Sequence, residues 1–166
     1  MGGGGGGDFP SSDLKSLEQK AKESLKAASS DASRNVFISF AYEDVDEVNL
    51  LRGQANNEKT DLQFDDYSVK EAFDSKNADY IKRQIREKLE RASVTVIYLS
   101  SSSAKSKWVD WEIQESLKMG KGVIGVFKGD KPPHSVPPSF KENNLRAVKW
   151  SHEELSKAID EASKKR

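Results

Sequence analysis

From residue 35 onward, apolar runs and amphipathic stretches take turns along the chain, and this alternation restricts the fold more than any other feature. Val36-Phe37-Ile38-Ser39-Phe40, Val94-Thr95-Val96-Ile97-Tyr98-Leu99 and Gly122-Val123-Ile124-Gly125-Val126-Phe127 are rich in residues that favour strands. A half-exposed strand alternates apolar with polar side chains, so nearly continuous apolar runs read as strands covered on both faces. Leu62-Gln63-Phe64 is a weaker strand, and Leu145-Arg146-Ala147-Val148-Lys149 brings the set to five. Helical stretches fall between them, around residues 45–53, 77–92 and 108–119. The clearest is 77–92, where Ile81, Ile85, Leu89 and Ala92 share one face and charged or amide side chains fill the other. A loop bearing Pro132, Pro133, Pro137 and Pro138 precedes the fifth strand, and Ser151 with Glu154 spaces a capping box for a last helix. Strands alternating with helices imply a parallel sheet with helices on both faces. Five strands in this rhythm predict an α/β, flavodoxin-like three-layer sandwich with strand order 2-1-3-4-5.

The length of 166 residues suits one domain, and the chain divides by composition. Residues 1–12 form a Gly-rich tail, residues 13–33 an amphipathic helix and linker, and residues 34–166 the α/β domain. In the second segment Leu14, Leu17, Ala21, Leu25 and Ala28 fall on one stripe at helical spacing, which packs on the domain or pairs two chains. Lys plus Arg and Asp plus Glu number 27 each, so the basic excess of a nucleic-acid binder is missing. No apolar run has the length of a membrane span and no signal peptide is evident, so a cytoplasmic protein is expected. There are no cysteines, and neither His134 nor His152 has metal-ligand company, so no metal is assigned.

In a sheet of this order, ligands bind beyond the carboxyl ends of the strands at the switch point between strands one and three. That selects Phe40-Ala41-Tyr42-Glu43-Asp44 and the loop 100–107, which opens with a run of four serines. The helix 108–119 rises from the second loop, so its first two turns border the crevice. An FMN protein wants a glycine-bearing phosphate loop after strand one, and none is present. A phosphate-accepting receiver wants Asp at the end of strand three, where this chain has serine. Cleavage of an N-glycosidic bond fits better. In NAD+ the nicotinamide leaves from a ring that is already cationic, so no general acid is required; one carboxylate against the ribose can stabilise the oxocarbenium charge. Glu112 suits that role. Trp108 lies one helical turn before it and can wall the pocket, and burial against indole would raise the acid's pKa. On the plainer reading, the tryptophan is core and the glutamate is solvated.

Two segments carry a resemblance. Asn35-Val36-Phe37-Ile38-Ser39-Phe40 resembles the opening motif of TIR domains, and Ser106-Lys107-Trp108-Val109-Asp110-Trp111-Glu112 resembles their Ser-x-Trp-x-x-x-Glu element. The likeness is closer to the bacterial and archaeal TIR-like family that includes the TIR subunit of Thoeris antiviral defence. That family also shows an aromatic residue and Asp after strand one, and Phe-Asp near strand two, as Phe64-Asp65 here. The resemblance implies that Glu112 is catalytic. By position it places Phe40, Tyr42, Asp44, Asp65, Ser103 and Trp108 around the substrate. It implies NAD+ as substrate with no further cofactor, and ADP-ribose or a cyclic ADP-ribose signal as product. Self-association or a partner effector protein is expected. Where many TIR domains carry Arg-Asp and Pro-Gly after strand two, this chain has Asp65-Asp66-Tyr67-Ser68-Val69-Lys70. The alternatives are a non-enzymatic adaptor module and a nucleoside-processing transferase using the same carboxylate.

Overall fold

The computed structural model describes residues 34–57, 62–67 and 71–164; the glycine-rich tail and the amphipathic stretch 13–33 lie outside these. Five strands form one parallel sheet: β1 (Arg34–Ser39), β2 (Leu62–Asp65), β3 (Val94–Tyr98), β4 (Gly122–Phe127) and β5 (Ala147–Lys149). Their spatial order is β2-β1-β3-β4-β5, the order read from the sequence. The helices are α1 (Val45–Asn57), α2 (Ala78–Arg91), α3 (Lys107–Lys118), α4 (Pro138–Glu142) and α5 (His152–Lys164). No helix among the described residues is long and apolar enough to cross a membrane.

Strand periodicity sorts the side chains into two cores. Val36, Ile38, Val94, Val96, Ile124 and Val126 point to one face, where they pack with Val48 of α1 and Leu155 and Ile159 of α5. Phe37 points to the other, against Ile81, Ile85 and Leu89 of α2 and Trp108 and Trp111 of α3. Ile97, Val123 and Phe127 meet Val109 and Ile113 of α3 and Phe140 of α4 on that same side. Each fully buried branched side chain contributes about 1.5–3 kcal/mol of transfer free energy, which is why the sheet centre tolerates so little polarity. Ser39 shares the parity of Phe37 and therefore points toward α2 and α3.

Polar pairs fix α3 against its neighbours. Thr95 Oγ1 and Ser116 Oγ are 2.8 Å apart in the buried layer, and Ser116 Oγ also donates to the Glu112 carbonyl oxygen at 2.7 Å. Asp110 Oδ1 accepts the Ser139 N–H at 2.7 Å, so α3 supplies a cap for α4. This explains a difference from the sequence reading. The proline-rich segment contains a short helix because Pro138 starts it with a fixed φ and Asp110 satisfies its first free donor. Helix α1 continues to Asn57 rather than stopping at Gly53, and β5 begins at Ala147 rather than Leu145. Ser151 Oγ accepts the Glu154 N–H at 3.1 Å, as a capping residue should.

Gly122 marks a close approach of sheet and helix backbone. A Cβ there would sit 2.6 Å from the Ala162 carbonyl oxygen, a backbone atom that cannot swing away. Gly122→Ala is expected to destabilise the domain by about 1–3 kcal/mol through overpacking. Denaturant unfolding checks this, and an unchanged midpoint would show that α5 shifts freely.

Candidate active site

Helix α3 begins with Ser106 as its cap, the serine Oγ accepting the Val109 N–H at 3.1 Å. That cap sets the rotation of the helix. Trp108, Trp111, Glu112 and Glu115 then turn inward on the i, i+3, i+4 rule, and all four are buried. Glu112 is only 3% exposed, and Ser39 Oγ, at the end of β1, donates to its Oε1 at 2.5 Å. The other carboxylate oxygen has no hydrogen bond among the described residues. Burial pushes the Glu112 carboxyl up to about 8; the Ser39 hydrogen bond works against this and the negative charge of Asp66 adds to it. Glu115, one turn on, goes the other way. Burial pushes it up, but ion pairs with Arg86 Nε at 2.8 Å and Lys118 Nζ at 3.1 Å outweigh that and hold it below its ordinary value.

Glu112 lines a cavity of about 240 Å³ beyond the carboxyl end of β1. Phe40, Tyr42 and Glu43 form its strand-one side. Ser102, Lys105 and Ser106 form the strand-three side, and Glu71 and Trp108 close it. The indole of Trp108 is fixed twice: Nε1 donates to the Glu71 carbonyl oxygen at 2.8 Å, and Phe73 meets the ring edge-on at 4.9 Å. Pockets for drug-sized ligands run to about 300–1,000 Å³, so this one has room for a nucleoside-sized group and no more. A larger cavity of about 410 Å³ lies under the amino ends of β4 and β5, between Gly120, Leu145 and Ala162. Of its charged lining residues, Arg146 and Glu161 pair with each other and Lys121 Nζ donates to the Glu90 carbonyl oxygen, and the cavity is remote from the switch point. The smaller cavity has the chemistry.

The structure thus brings Phe40, Tyr42 and Trp108 together with Glu112 and places the other three named residues elsewhere. Asp44 accepts a hydrogen bond from Ser100 Oγ and ties the loop after β1 to the loop after β3, outside the cavity wall. Burial raises its carboxyl pKa, the Ser100 bond opposes this, and Glu43 and Glu47 add to the rise. Ser103 is fully buried, and its Oγ accepts the Ser100 N–H at 2.9 Å and donates to the Ser100 carbonyl oxygen at 3.1 Å. It closes the serine turn and leaves Ser102 on the wall. Asp65 points at α2 and pairs with Lys88 Nζ at 2.7 Å; the next residue, Asp66, is the one whose charge reaches Glu112. Asp66 is itself held by Arg52.

Sequence reasoning singled out neither Ser39 as a partner of Glu112 nor Lys105, Glu43 and Glu71 as wall residues. Ser39 had a signal: it is the polar residue in the strand-one run, on the Phe37 side. Glu71 had none, since its place depends on the loop after β2. No group of three or more potential metal ligands occurs among the described residues.

A family model described as "Thoeris protein ThsB, TIR-like domain" matches residues 37–132, more than half of the chain and the stretch holding both walls of the cavity. The chain belongs to this TIR-like family. ThsB1 of Bacillus cereus (strain MSX-D12), named as a proposed cyclic ADP-D-ribose synthase, is 34% identical to the domain over 101 residues. The match takes in 57% of this chain and 51% of the relative, so the TIR-like chain spans about half the length of that protein. Among solved structures, the TIR domain of the Toll-related receptor TRR-2 from Hydra magnipapillata superposes with a TM-score of 0.50 at 16% identity. It covers 76% of this chain and 92% of the receptor domain, a likeness of fold.

The buried carboxyl fixes a direction for stability. Glu112 binds its proton more tightly in the folded TIR-like domain, at about 8, than at its ordinary 4.5, so this group disfavours folding as pH rises between those values. Glu112→Gln keeps an acceptor for Ser39 and removes the ionisation. Its stability advantage over the wild type is expected to grow by on the order of 3 kcal/mol between pH 5 and pH 8. Urea unfolding at the two pH values measures it; a constant difference would mean that Glu112 ionises as easily folded as unfolded.

Proposed function

We propose that this TIR-like domain cleaves NAD+ at the nicotinamide–ribose bond, with Glu112 as the catalytic residue. The observation that carries the reading is a buried carboxyl with one oxygen held by Ser39, lining a nucleoside-sized cavity beside a fixed indole. The family membership and the name of the Bacillus cereus relative agree with it.

The chemistry needs little more than this. The nicotinamide ring stacks on or beside Trp108, and the ribose lies against Glu112. As the C1′–N bond breaks, its electron pair goes to the ring nitrogen, which becomes neutral. The positive charge moves to the ribose, where the Glu112 carboxylate stabilises it. Attack by water at C1′ gives ADP-ribose and a proton. Attack by a nucleophile elsewhere in the same molecule gives a cyclic ADP-ribose. NAD+ is substrate, so no further cofactor takes part. A cyclic product would serve as a signal to a partner effector in antiviral defence, and the domain would self-associate.

Glu112 acts as the carboxylate, so its pKa of about 8 sets the pH dependence of the free protein. kcat/KM is expected to rise with pH up to about 8 and then level off. The midpoint for kcat should be lower, because a bound pyridinium favours the ionised acid. Glu112→Gln is expected to lower nicotinamide release by about a hundredfold or more without unfolding the domain. Ser39→Ala removes the bond that lowers the Glu112 pKa, so its kcat/KM rise should move to higher pH. Chromatography of NAD+ reactions at high protein concentration reads all three. Undiminished turnover by Glu112→Gln would remove that residue from the reaction, and no turnover by crowded wild type would favour a docking module.

A further inference from the structure

The cavity wall is unbalanced in charge. Among the described residues it carries two exposed acids, Glu43 and Glu71, beside the buried Glu112, which keeps its proton up to about 8, and one cation, Lys105. Three acids suit a cationic ring and a hydroxyl-rich sugar. The two exposed acids, Glu43 and Glu71, oppose the diphosphate that is joined to that sugar in a dinucleotide. A cation at the mouth is needed to offset this repulsion, and the lining offers one.

We infer that Lys105 is the residue that receives the diphosphate of the substrate, making this a site for phosphorylated nicotinamide nucleosides rather than free ones. The inference rests on the cleavage reading given above and adds a substrate-binding residue to it. Three observations support it. Lys105 is exposed and lines the same cavity as Glu112. It makes no ion pair among the described residues, whereas Lys88, Lys118, Lys128 and Lys149 each hold a carboxylate. Its backbone is also anchored. The Lys105 N–H donates to the Ser102 carbonyl oxygen at 3.2 Å and the Ser106 N–H to the Ser103 carbonyl oxygen at 3.1 Å. The buried Ser103 holds that turn from beneath. The ammonium therefore swings from a fixed point at the cavity wall. The cavity's own size completes the argument: at about 240 Å³ it has no room for the diphosphate inside, so those oxygens lie at the mouth.

The test uses binding, so it does not depend on turnover. ADP-ribose, which has the diphosphate but no nicotinamide, and nicotinamide riboside, which has no phosphate, are titrated into the full chain by calorimetry. For Lys105→Ala, ADP-ribose is expected to bind about five- to tenfold more weakly, and for Lys105→Glu more weakly still, with riboside affinity unchanged. Added salt should weaken ADP-ribose binding to the wild type and have little effect on the alanine variant. Equal effects on both ligands, no effect of Lys105→Ala, or no binding of ADP-ribose by the wild type would each overturn the inference. NAD+ turnover by the same wild-type preparation separates the two ideas. Turnover with no Lys105 effect on ADP-ribose sinks this inference alone, and Lys105-dependent binding without turnover sinks the cleavage reading alone.

Discussion

Glu112 occupies a position where a folded domain ordinarily keeps a leucine or isoleucine, between a sheet and the helix that covers it. Taking an ionisable group out of water disfavours its charged form, and Glu112 is only 3% exposed. Several features exist to hold the group there. Ser39 sits at the last position of β1 with its Oγ on the carboxyl, and Ser116 and Thr95 tie the next helical turn to β3. Ser106 caps the start of the helix and Asp110 links it to α4. The two strands involved, β1 and β3, flank the switch point of the sheet, so the same residues that fix the helix also define the crevice. Position and chemistry are one constraint here.

The sheet was legible from the sequence because its signal is redundant. Three apolar runs too long and too uniform for half-exposed strands demand cover on both faces, and the intervening amphipathic helices supply it. The strand order then follows from general rules for such sheets, and with it the two crevice loops. Glu112 and Trp108 were legible because helical spacing turns both toward a crevice already located. The remaining residues depended on details that spacing does not encode. Asp44 lies in the loop after β1, yet its carboxylate closes on Ser100. Ser103 lies in the serine run after β3, yet its hydroxyl is used up within the turn. Asp65 and Asp66 are adjacent, and strand alternation sends only one of them toward Lys88. In a loop or at a strand end, a shift of one residue changes the direction of a side chain completely. A sequence alone names the loop but not the member of it.

The two cavities illustrate why size is a poor guide to function. The larger one is a gap left where α5 and the turns before β4 and β5 meet, with Gly122 packed close against Ala162 nearby. Arg146 and Glu161 pair across its rim, and Lys121 is held by the Glu90 carbonyl oxygen. The smaller one gathers aromatic rings, hydroxyls, acids and a free lysine at the strand carboxyl ends. A packed fold leaves voids where shapes do not match. It leaves no comparable reason for polar groups of several kinds to converge beside a buried carboxyl at the strand ends.

The unusually weak acidity of Glu112 also fits the direction of the proposed reaction. With a pKa of about 8, the carboxyl is mostly protonated at neutral pH, and ionising it there costs about 1.4 kcal/mol. A pyridinium within 4 Å contributes roughly 4 kcal/mol of attraction at an effective dielectric constant near 20, enough to reverse the balance. In the proposed reaction a cationic substrate would therefore generate the carboxylate that its own cleavage requires. A neutral dihydronicotinamide would not. Once the glycosidic bond breaks, the ring is neutral and the oxocarbenium charge is quenched by the incoming nucleophile, so the acid takes its proton back. The attraction that held the reacting pair then disappears, which favours departure of the products. In the proposed reaction, the same burial that makes the group costly to the fold would couple its charge to the presence of substrate.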